Sequence, residues 1–137
     1  MADDVRSVEY YAASVKDQAG EGHRVLSALS AAGIDLRAFC GFPTGEGKAQ
    51  LDFVPTDAKA FLAAAERLKL RVRKPKQAFL ISGDDRVGAV ASALGKLASA
   101  KIAITAAQAI SAGNGRWGML LWVKPARHAQ AARALGI

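Results

Sequence analysis

The residues of this chain whose types and spacing could do chemistry are Asp84 and Asp85, adjacent acids in the stretch SGDDRVGAVASALGKLASAKIAI. Paired carboxylates can bind a metal or act as general acid and base, and a glycine at a helix start can admit a phosphate. The sequence contains no nucleophile elbow and no Walker-type loop. The histidines His23 and His128 lie at no metal-ligand spacing from each other or from Cys40. We therefore expect both histidines on helix surfaces.

The acidic pair belongs to a segment that occurs twice. A shift of 68 residues places residues 15–36 on residues 83–104 without a gap, and Gly45 and Gly47 on Gly113 and Gly115. Asp17 matches Asp85, but Asp84 matches Lys16, so only one acid of the pair is repeated. The repeat therefore predicts a turn that the architecture uses twice, not a catalytic site.

The repeated turn lies where a strand passes into a helix. There the carboxylates of Asp17 and Asp85 could accept hydrogen bonds from free backbone N–H groups at the helix start. Gly20 and Gly88 leave the first helical turn without a side chain, so that an anionic ligand such as a carboxylate could approach. Gly45, Gly47 and their counterparts are predicted to supply positive φ in hairpin turns.

The bulk composition describes one or two small globular units. The chain has 137 residues, of which 51% are hydrophobic, and half of that length buries little core alone. We expect the halves to pack on each other or on a second chain. The N-terminus does not resemble a signal peptide, no apolar run is long enough to span a membrane, and the single Cys40 suits a reducing cytoplasm. Cys40 itself is predicted to be a small core hydrophobe on the inward register of its strand.

The net charge of +7 permits contact with nucleic acid or an anionic membrane. Much of this charge lies in RLKLRVRKPK, residues 67–76. One interpretation is a phosphate-binding arm. The preferred one is a half-buried edge strand with a basic outer face, because apolar and basic residues alternate along it.

Periodicity and turn signals predict the element order strand, helix, strand, strand, helix, strand, followed by a second copy without its last strand. The first copy has strands at residues 8–15, 34–42, 49–54 and 68–74, and helices at 20–32 and 57–68, with Thr56 as N-cap and Gly33 after the first helix. The second has strands at 78–82, 102–110 and 117–123 and helices at 88–100 and 126–135. The first ten residues, which include MADD, are predicted to be a frayed start.

This order indicates an α+β fold of two ferredoxin-like βαββαβ repeats, 1–75 and 76–137, each an antiparallel sheet with helices on one face. Something else must cover the edge left by the missing strand. The outer face of the second sheet is predicted to be apolar and buried, with Leu120 and Trp122 beside Ala107 and Ala109. Both features favour a homodimer over a lone monomer.

The repeated D-x-x-G, the amphipathic helix ending in a small residue and the following I-x-I/L together resemble the ACT domain, in tandem, from about Val8 to Leu135. ACT domains are ferredoxin-like modules that regulate metabolic enzymes by binding small ligands, mostly amino acids, where two modules meet. The resemblance implies ligand contacts from the loop between first strand and first helix and from the second strand. The implied residues are Asp17, Gln18, Ala19, Gly20 and Leu36, and Asp85, Arg86, Val87, Gly88 and Ile104.

The sequence departs from the usual ACT pattern at two places. Ala19 and Val87 stand where the family often has Pro, and Asp35 and Ala103 stand where it often has Asn. Arg86 is the only cation in either loop, so the second loop is the better candidate for a carboxylate ligand.

The resemblance implies a cytoplasmic, non-catalytic sensor or regulatory subunit that binds an amino acid and acts on a separate metabolic enzyme, with no metal or cofactor. A different reading of the same topology is a basic ferredoxin-like nucleic-acid-binding module, although the aromatic-glycine signature of RNA-recognition domains is missing. The chain could also be a purely protein-binding subunit, or a small enzyme that uses Asp84 and Asp85.

Overall fold

The computed structural model of the chain describes residues 3–137, which divide into two compact units. The first unit is Tyr10–Lys76, and the second contains the residues up to Glu9 together with Gln77–Ile137. The predicted α+β class is confirmed.

The first unit is built from strands β1 (Asp4–Lys16, which begins in the other unit), β2 (Leu36–Gly45) and β3 (Lys48–Pro55), and helices α1 (Glu21–Ala31) and α2 (Ala58–Arg67). The strand order is β2-β3-β1, and both pairings are antiparallel. The two helices bury apolar residues against the sheet because these recur at helical spacing. The core includes Val25, Leu29, Phe53 and Phe61.

The second unit contains strands β4 (Lys76–Asp84), β5 (Ala106–Gly113) and β6 (Arg116–Trp122), and helices α3 (Ala89–Ser99) and α4 (His128–Leu135), which follows a short 3-10 turn. The strand order is β1-β4-β6-β5. Its core includes Phe79, Ile81, Leu97 and Leu121.

The N-terminal segment from Asp4 onward differs from the prediction of a frayed start, and Met1 and Ala2 lie outside the described residues. Strand β1 already begins at Asp4, and its residues up to Glu9 belong to the second unit, where β1 lies beside β4. The division predicted from the sequence, at residues 75/76, had instead placed these N-terminal residues in the first repeat. The physical reason is that β4 needs a hydrogen-bonded neighbour on the side away from β6, and the N-terminal part of β1 provides it.

The basic segment after α2 was predicted to be an edge strand, and this prediction is wrong except at one point. Val72 forms an isolated antiparallel bridge with Ala13, and the Arg73 amide donates to the carbonyl of Ala12 at 2.8 Å. The chain instead leaves α2 through Lys69, whose φ of 58° turns it away from strand geometry.

The α-helices of residues 3–137 share the same backbone turn at their C-terminal ends. In α1, Gly33 donates to the carbonyl of Ser30 and Ile34 to that of Leu29, with φ of 76° at Gly33, which confirms the predicted C-terminal glycine. Lys69 and Lys101 occupy the corresponding positive-φ positions after α2 and α3. The predicted N-cap of α2 is displaced by one residue, since Asp57 rather than Thr56 accepts from the Ala60 amide.

Cys40 does not lie on the inward register of β2. A β-bulge between Leu36 and Ala38 shifts the alternation, so that Cys40 pairs with Asp52 of β3 and is only half-buried. Asp52 itself is buried, accepts a hydrogen bond from Gln50 at 2.9 Å, and has its pKa raised by that burial.

The predicted burial of Leu120 and Trp122 is confirmed, since both are less than a tenth exposed. On β5, Gln108 lies opposite Leu120 and Ala106 lies opposite Trp122. The predicted neighbours, Ala107 and Ala109, are each one residue away and therefore point to the opposite face of the sheet. Strand β5 is itself exposed along its whole length. Among the described residues, no helix combines the length and apolar character needed to cross a bilayer.

His128 is buried, contrary to the prediction of a helix-surface residue, whereas His23 is exposed on α1. The His128 ring stacks on Phe79 with centroids 4.1 Å apart, and its Nε2 lies 2.7 Å from the Ser7 hydroxyl. Burial lowers the pKa of His128, because the imidazolium loses hydration in this packing.

Candidate functional site

The loops that follow β1 and β4 have the same hydrogen bonds, which confirms a turn used twice. The Asp17 amide donates to the Gly47 carbonyl at 2.9 Å, and the Asp85 amide to the Gly115 carbonyl at 2.8 Å. Gly20 and Gly88 precede their helices with φ of 86° and 85°. Each loop is thereby tied to the β-hairpin turn of its own unit. The glycines of both turns, Gly45, Gly47, Gly113 and Gly115, have positive φ as predicted.

The predicted capping role of the two aspartates is wrong. Among the described residues, neither α1 nor α3 receives a side-chain cap, because the N-cap position is a left-handed glycine three residues beyond the aspartate. The Asp85 carboxylate instead accepts a hydrogen bond from the Ser111 hydroxyl at 2.6 Å. Asp84 pairs with Arg116 on the neighbouring strand at 3.0 Å. The two acids thus have separate partners and do not form a two-carboxylate set.

Each loop borders a small cavity, and the two cavities lie at equivalent places in the repeat. The Asp85 cavity, of about 260 Å³, lies in the second unit between the loop, the start of α3, the end of β5 and Trp117. The Asp17 cavity, of about 240 Å³, lies between the corresponding elements of the first unit. The duplication therefore repeats a concave site as well as a turn.

The side chains that line the two cavities differ in chemistry. The second unit places Arg86, Ser111 and Trp117 around its cavity. The counterparts 68 residues earlier are Gln18, Pro43 and Ala49, which also line theirs. Of the two, the Asp85 cavity is the one that combines a guanidinium, a hydroxyl and an indole N–H.

Arg86 is already engaged by a carboxylate of the same unit. Its two terminal nitrogens donate to the two carboxylate oxygens of Asp3 at 3.0 and 3.1 Å, and the Trp117 Nε1 donates to Asp3 at 3.3 Å. The hydrogen bonds from Arg86 lower the pKa of the Asp3 carboxyl, against the opposing effect of its burial. A bidentate guanidinium beside an indole N–H is thus a formed carboxylate-binding arrangement.

Gly83 is required by the same arrangement. A side chain at this position would collide with the Asp3 carboxylate and would lie 3.2 Å from the Trp117 Nε1. The bare backbone of β4 therefore forms the floor under the bound carboxylate.

The predicted site residues are distributed unevenly. Asp85, Arg86 and Gly88 line the Asp85 cavity, and Asp17 and Gln18 line the Asp17 cavity. Val87, Ala19 and Gly20 are exposed on their loops. Leu36 and Ile104 are half-buried against the cores of their units.

Several cavity residues were not predicted as site residues. These are Ser111 and Trp117, together with the apolar wall Ala89, Val90, Ala109 and Ile110. Asp3, which receives hydrogen bonds from Arg86 and Trp117, was not predicted either. The hairpin signal Asn114–Gly115 places Gly113 opposite Arg116, but Ser111 is opposite Trp117 only because of an irregularity between Ser111 and Gly113, which the sequence does not mark. No local pattern indicated Asp3.

Two other kinds of site find no support in the described residues. Trp117 and Trp122 are both buried, so neither offers an exposed face on which a base could stack. Within residues 3–137, no group of three or more His, Cys, Asp and Glu side chains is placed to hold a metal ion.

No protein-family model matches the sequence, and no curated protein matches it. Solved structures do match. The protein BT0572 of Bacteroides thetaiotaomicron superposes with a TM-score of 0.80 at 18% identity, covering 96% of this chain and 88% of that chain. The regulatory subunits of aspartate kinase from Thermus thermophilus and Thermus flavus superpose with TM-scores of 0.65 and 0.66 at 18% and 21% identity. Each covers 98% of this chain and 95% of the other.

At these identities the comparisons establish the fold. The chain has the fold of aspartate kinase regulatory subunits over nearly its whole length, and the resemblance to ACT domains is confirmed at that level.

Proposed function

We propose that this chain is a non-catalytic regulatory protein, built from two ACT-like ferredoxin modules, that binds a free amino acid in the Asp85 cavity. In this proposal the N-terminal part of β1 serves as the last strand of the second module. The loop residues Asp85, Arg86, Val87 and Gly88 form the mouth of the site.

The observation that carries the proposal is that Arg86 and Trp117, which both line a cavity of about 260 Å³, together bind the carboxylate of Asp3. The same atoms can receive the α-carboxylate of a small ligand, because the geometry required is that of the internal carboxylate. Bound ligand would replace Asp3.

A carboxylate receptor alone does not select an amino acid. The Asp85 carboxylate and the Ser111 hydroxyl line the same cavity and together offer acceptors for an ammonium group. Ala89, Val90, Ala109 and Ile110 provide an apolar wall for a side chain. A zwitterion with a small apolar or polar side chain is therefore the ligand class that uses every group present.

In the proposal the Asp17 cavity binds more weakly or not at all. Its loop has Gln18 in place of Arg86, and the cation that lines this cavity is Lys16 at the end of β1, which cannot offer the two parallel donors of a guanidinium. Pro43 cannot donate to Asp17 as Ser111 does to Asp85. Leu36 and Ile104, which pack against the cores of their modules, would support the ligand sites from below.

We further propose that the chain works as a homodimer and acts on a separate metabolic enzyme. The support is the similarity in fold to subunits that are described as regulatory subunits of aspartate kinase. The exposed strand β5 offers backbone groups through which a second copy could pair.

The test uses the repeat as its own control. The amino acid that binds best in a screen is titrated calorimetrically into the Asp85→Asn and Asp17→Asn variants of the full chain. We expect Asp85→Asn to weaken binding about tenfold or more, because it removes the charge that faces the ammonium group. Asp17→Asn should leave the affinity unchanged. Equal affinities in both variants would contradict the placement of the site.

A further inference from the structure

A second and larger cavity lies in the first unit, away from the Asp85 cavity. It has a volume of about 650 Å³ and is bordered by the end of β1, the start of α1 and residues 68–71 after α2. We name it the basic cleft. Its charged lining residues are Lys16, Glu21, Arg24, Lys48, Lys69 and Arg71.

The charge of the basic cleft is strongly one-sided. Five cations face one carboxylate, Glu21, which is itself paired with Arg24. The cleft therefore carries a net charge of +4, more than half of the +7 of the whole chain. A concave surface lined by one sign of charge concentrates the field and attracts counter-ions of the opposite sign.

Two of these cations are held close together by the sheet. Lys16 of β1 and Lys48 of β3 are direct cross-strand partners in the antiparallel register. Like charges directly opposite each other destabilise a strand pair, and an anion between them would relieve the repulsion. Without a bound anion, the repulsion between Lys16 and Lys48 therefore destabilises the folded protein, and a bound anion would remove this repulsion.

Lys69 is held in the cleft at a conformational cost of its own. It takes a φ of 58° in the turn after α2, a position for which glycine is the favoured residue. Because the segment does not continue as the predicted edge strand, Lys69 and Arg71 line a concavity instead of a flat outer face.

We propose that the basic cleft binds a small molecule that carries two or three phosphate groups. A phosphate monoester carries about −1.5 to −2 charges, so two or three such groups balance the charge of the cleft, whereas a zwitterionic amino acid does not. Arg71 and Arg24 suit bidentate contact with phosphate, and the lysines supply point charges. The five cations line one cavity of about 650 Å³, which favours a compact anion over a nucleic-acid strand.

The test compares two glycine substitutions in the full-length protein. Lys69→Gly removes one cleft cation, and the positive φ at that position makes glycine free of strain there, so the variant should fold at least as stably as wild type. Lys101→Gly is the matched control, because Lys101 occupies the same kind of helix-ending turn in the second unit with φ of 57°. Lys101→Gly lowers the net charge by the same amount, but Lys101 does not line the cleft.

The probe is inorganic tripolyphosphate, titrated by calorimetry, with inorganic phosphate and a short single-stranded oligonucleotide in parallel. We expect saturable tripolyphosphate binding at one site per chain, weakened about fivefold to tenfold by Lys69→Gly and unchanged by Lys101→Gly. Inorganic phosphate should bind more weakly. Absent tripolyphosphate binding, or equal weakening in both variants, would overturn the proposal. So would an oligonucleotide that binds more tightly than tripolyphosphate and depends on Lys69. None of these outcomes depends on the amino-acid site.

Discussion

Arg86 holds the carboxylate of Asp3 with both terminal nitrogens, across a sequence separation of 83 residues. The side chain of Asp3 is 9% exposed, whereas that of Arg86 is 40% exposed and borders the Asp85 cavity. A residue of the N-terminal segment therefore occupies the place that a ligand carboxylate would take in the proposed function.

The first prediction concerns this competition. Replacement Asp3→Ala should raise the affinity for the amino acid at least about tenfold, if the site is open in about a tenth or less of wild-type molecules. The measurement is a calorimetric titration of the full chain. Asp4→Ala is the control, because Asp4 pairs with the exposed Arg6 instead. An affinity lowered by Asp3→Ala would show that Asp3 supports the ligand and does not compete with it.

The second prediction concerns the two left-handed glycines that precede α1 and α3. Gly20→Ala and Gly88→Ala should each destabilise the chain by about 1 kcal/mol, because alanine at positive φ is strained although nothing lies within 4 Å of the new methyl group. Denaturant unfolding measures the change in free energy.

The control for these substitutions is Gly95→Ala inside α3, where the surroundings are also open. It should stabilise the chain by roughly 0.5–1 kcal/mol, since alanine is the better helix former. If all three substitutions destabilised equally, backbone strain would not be the cause.

The third prediction is a pH dependence from His128. Burial lowers its pKa in the folded state below the ordinary value of 6.5, so the unfolded state takes up the proton first as the pH falls. Stability is therefore complete above about pH 6.5 and decreases on acidification, by up to about 1.4 kcal/mol per pH unit from this group.

Unfolding free energies between pH 5 and 8 measure this effect. His128→Phe should flatten the dependence while keeping the stack on Phe79, and His23→Gln on the exposed face of α1 should leave it as in wild type. A slope unchanged by His128→Phe would assign the acid sensitivity to other groups.

Local patterns in the sequence predicted the helices and most strands well. The 68-residue repeat, the hairpin glycines and Gly33 all correspond to observed backbone turns, because each depends on residues close together in the chain. The ligand contacts that the ACT resemblance implies for Asp85, Arg86 and Gly88 remain a prediction, and these three residues line one cavity.

Two of the failures depend on contacts between distant segments. From Asp4 onward a frayed start was the wrong prediction, because the edge that stabilises this segment, that of β4, lies about 70 residues further along the chain. The partner of Arg86 was missed for the same reason. Cys40 was misplaced because a β-bulge reverses the alternation of β2 without a glycine or proline to mark it.

The most direct test of the central claim is a thermal-shift screen of the full chain, as wild type and as Asp3→Ala, against the twenty amino acids. A ligand that binds only the folded state adds about 2.7 kcal/mol at a hundredfold excess over its dissociation constant. The account predicts that one or two amino acids raise the melting temperature of both proteins, at lower concentration in Asp3→Ala. If no amino acid shifts either protein, the Asp85 cavity is not an amino-acid site.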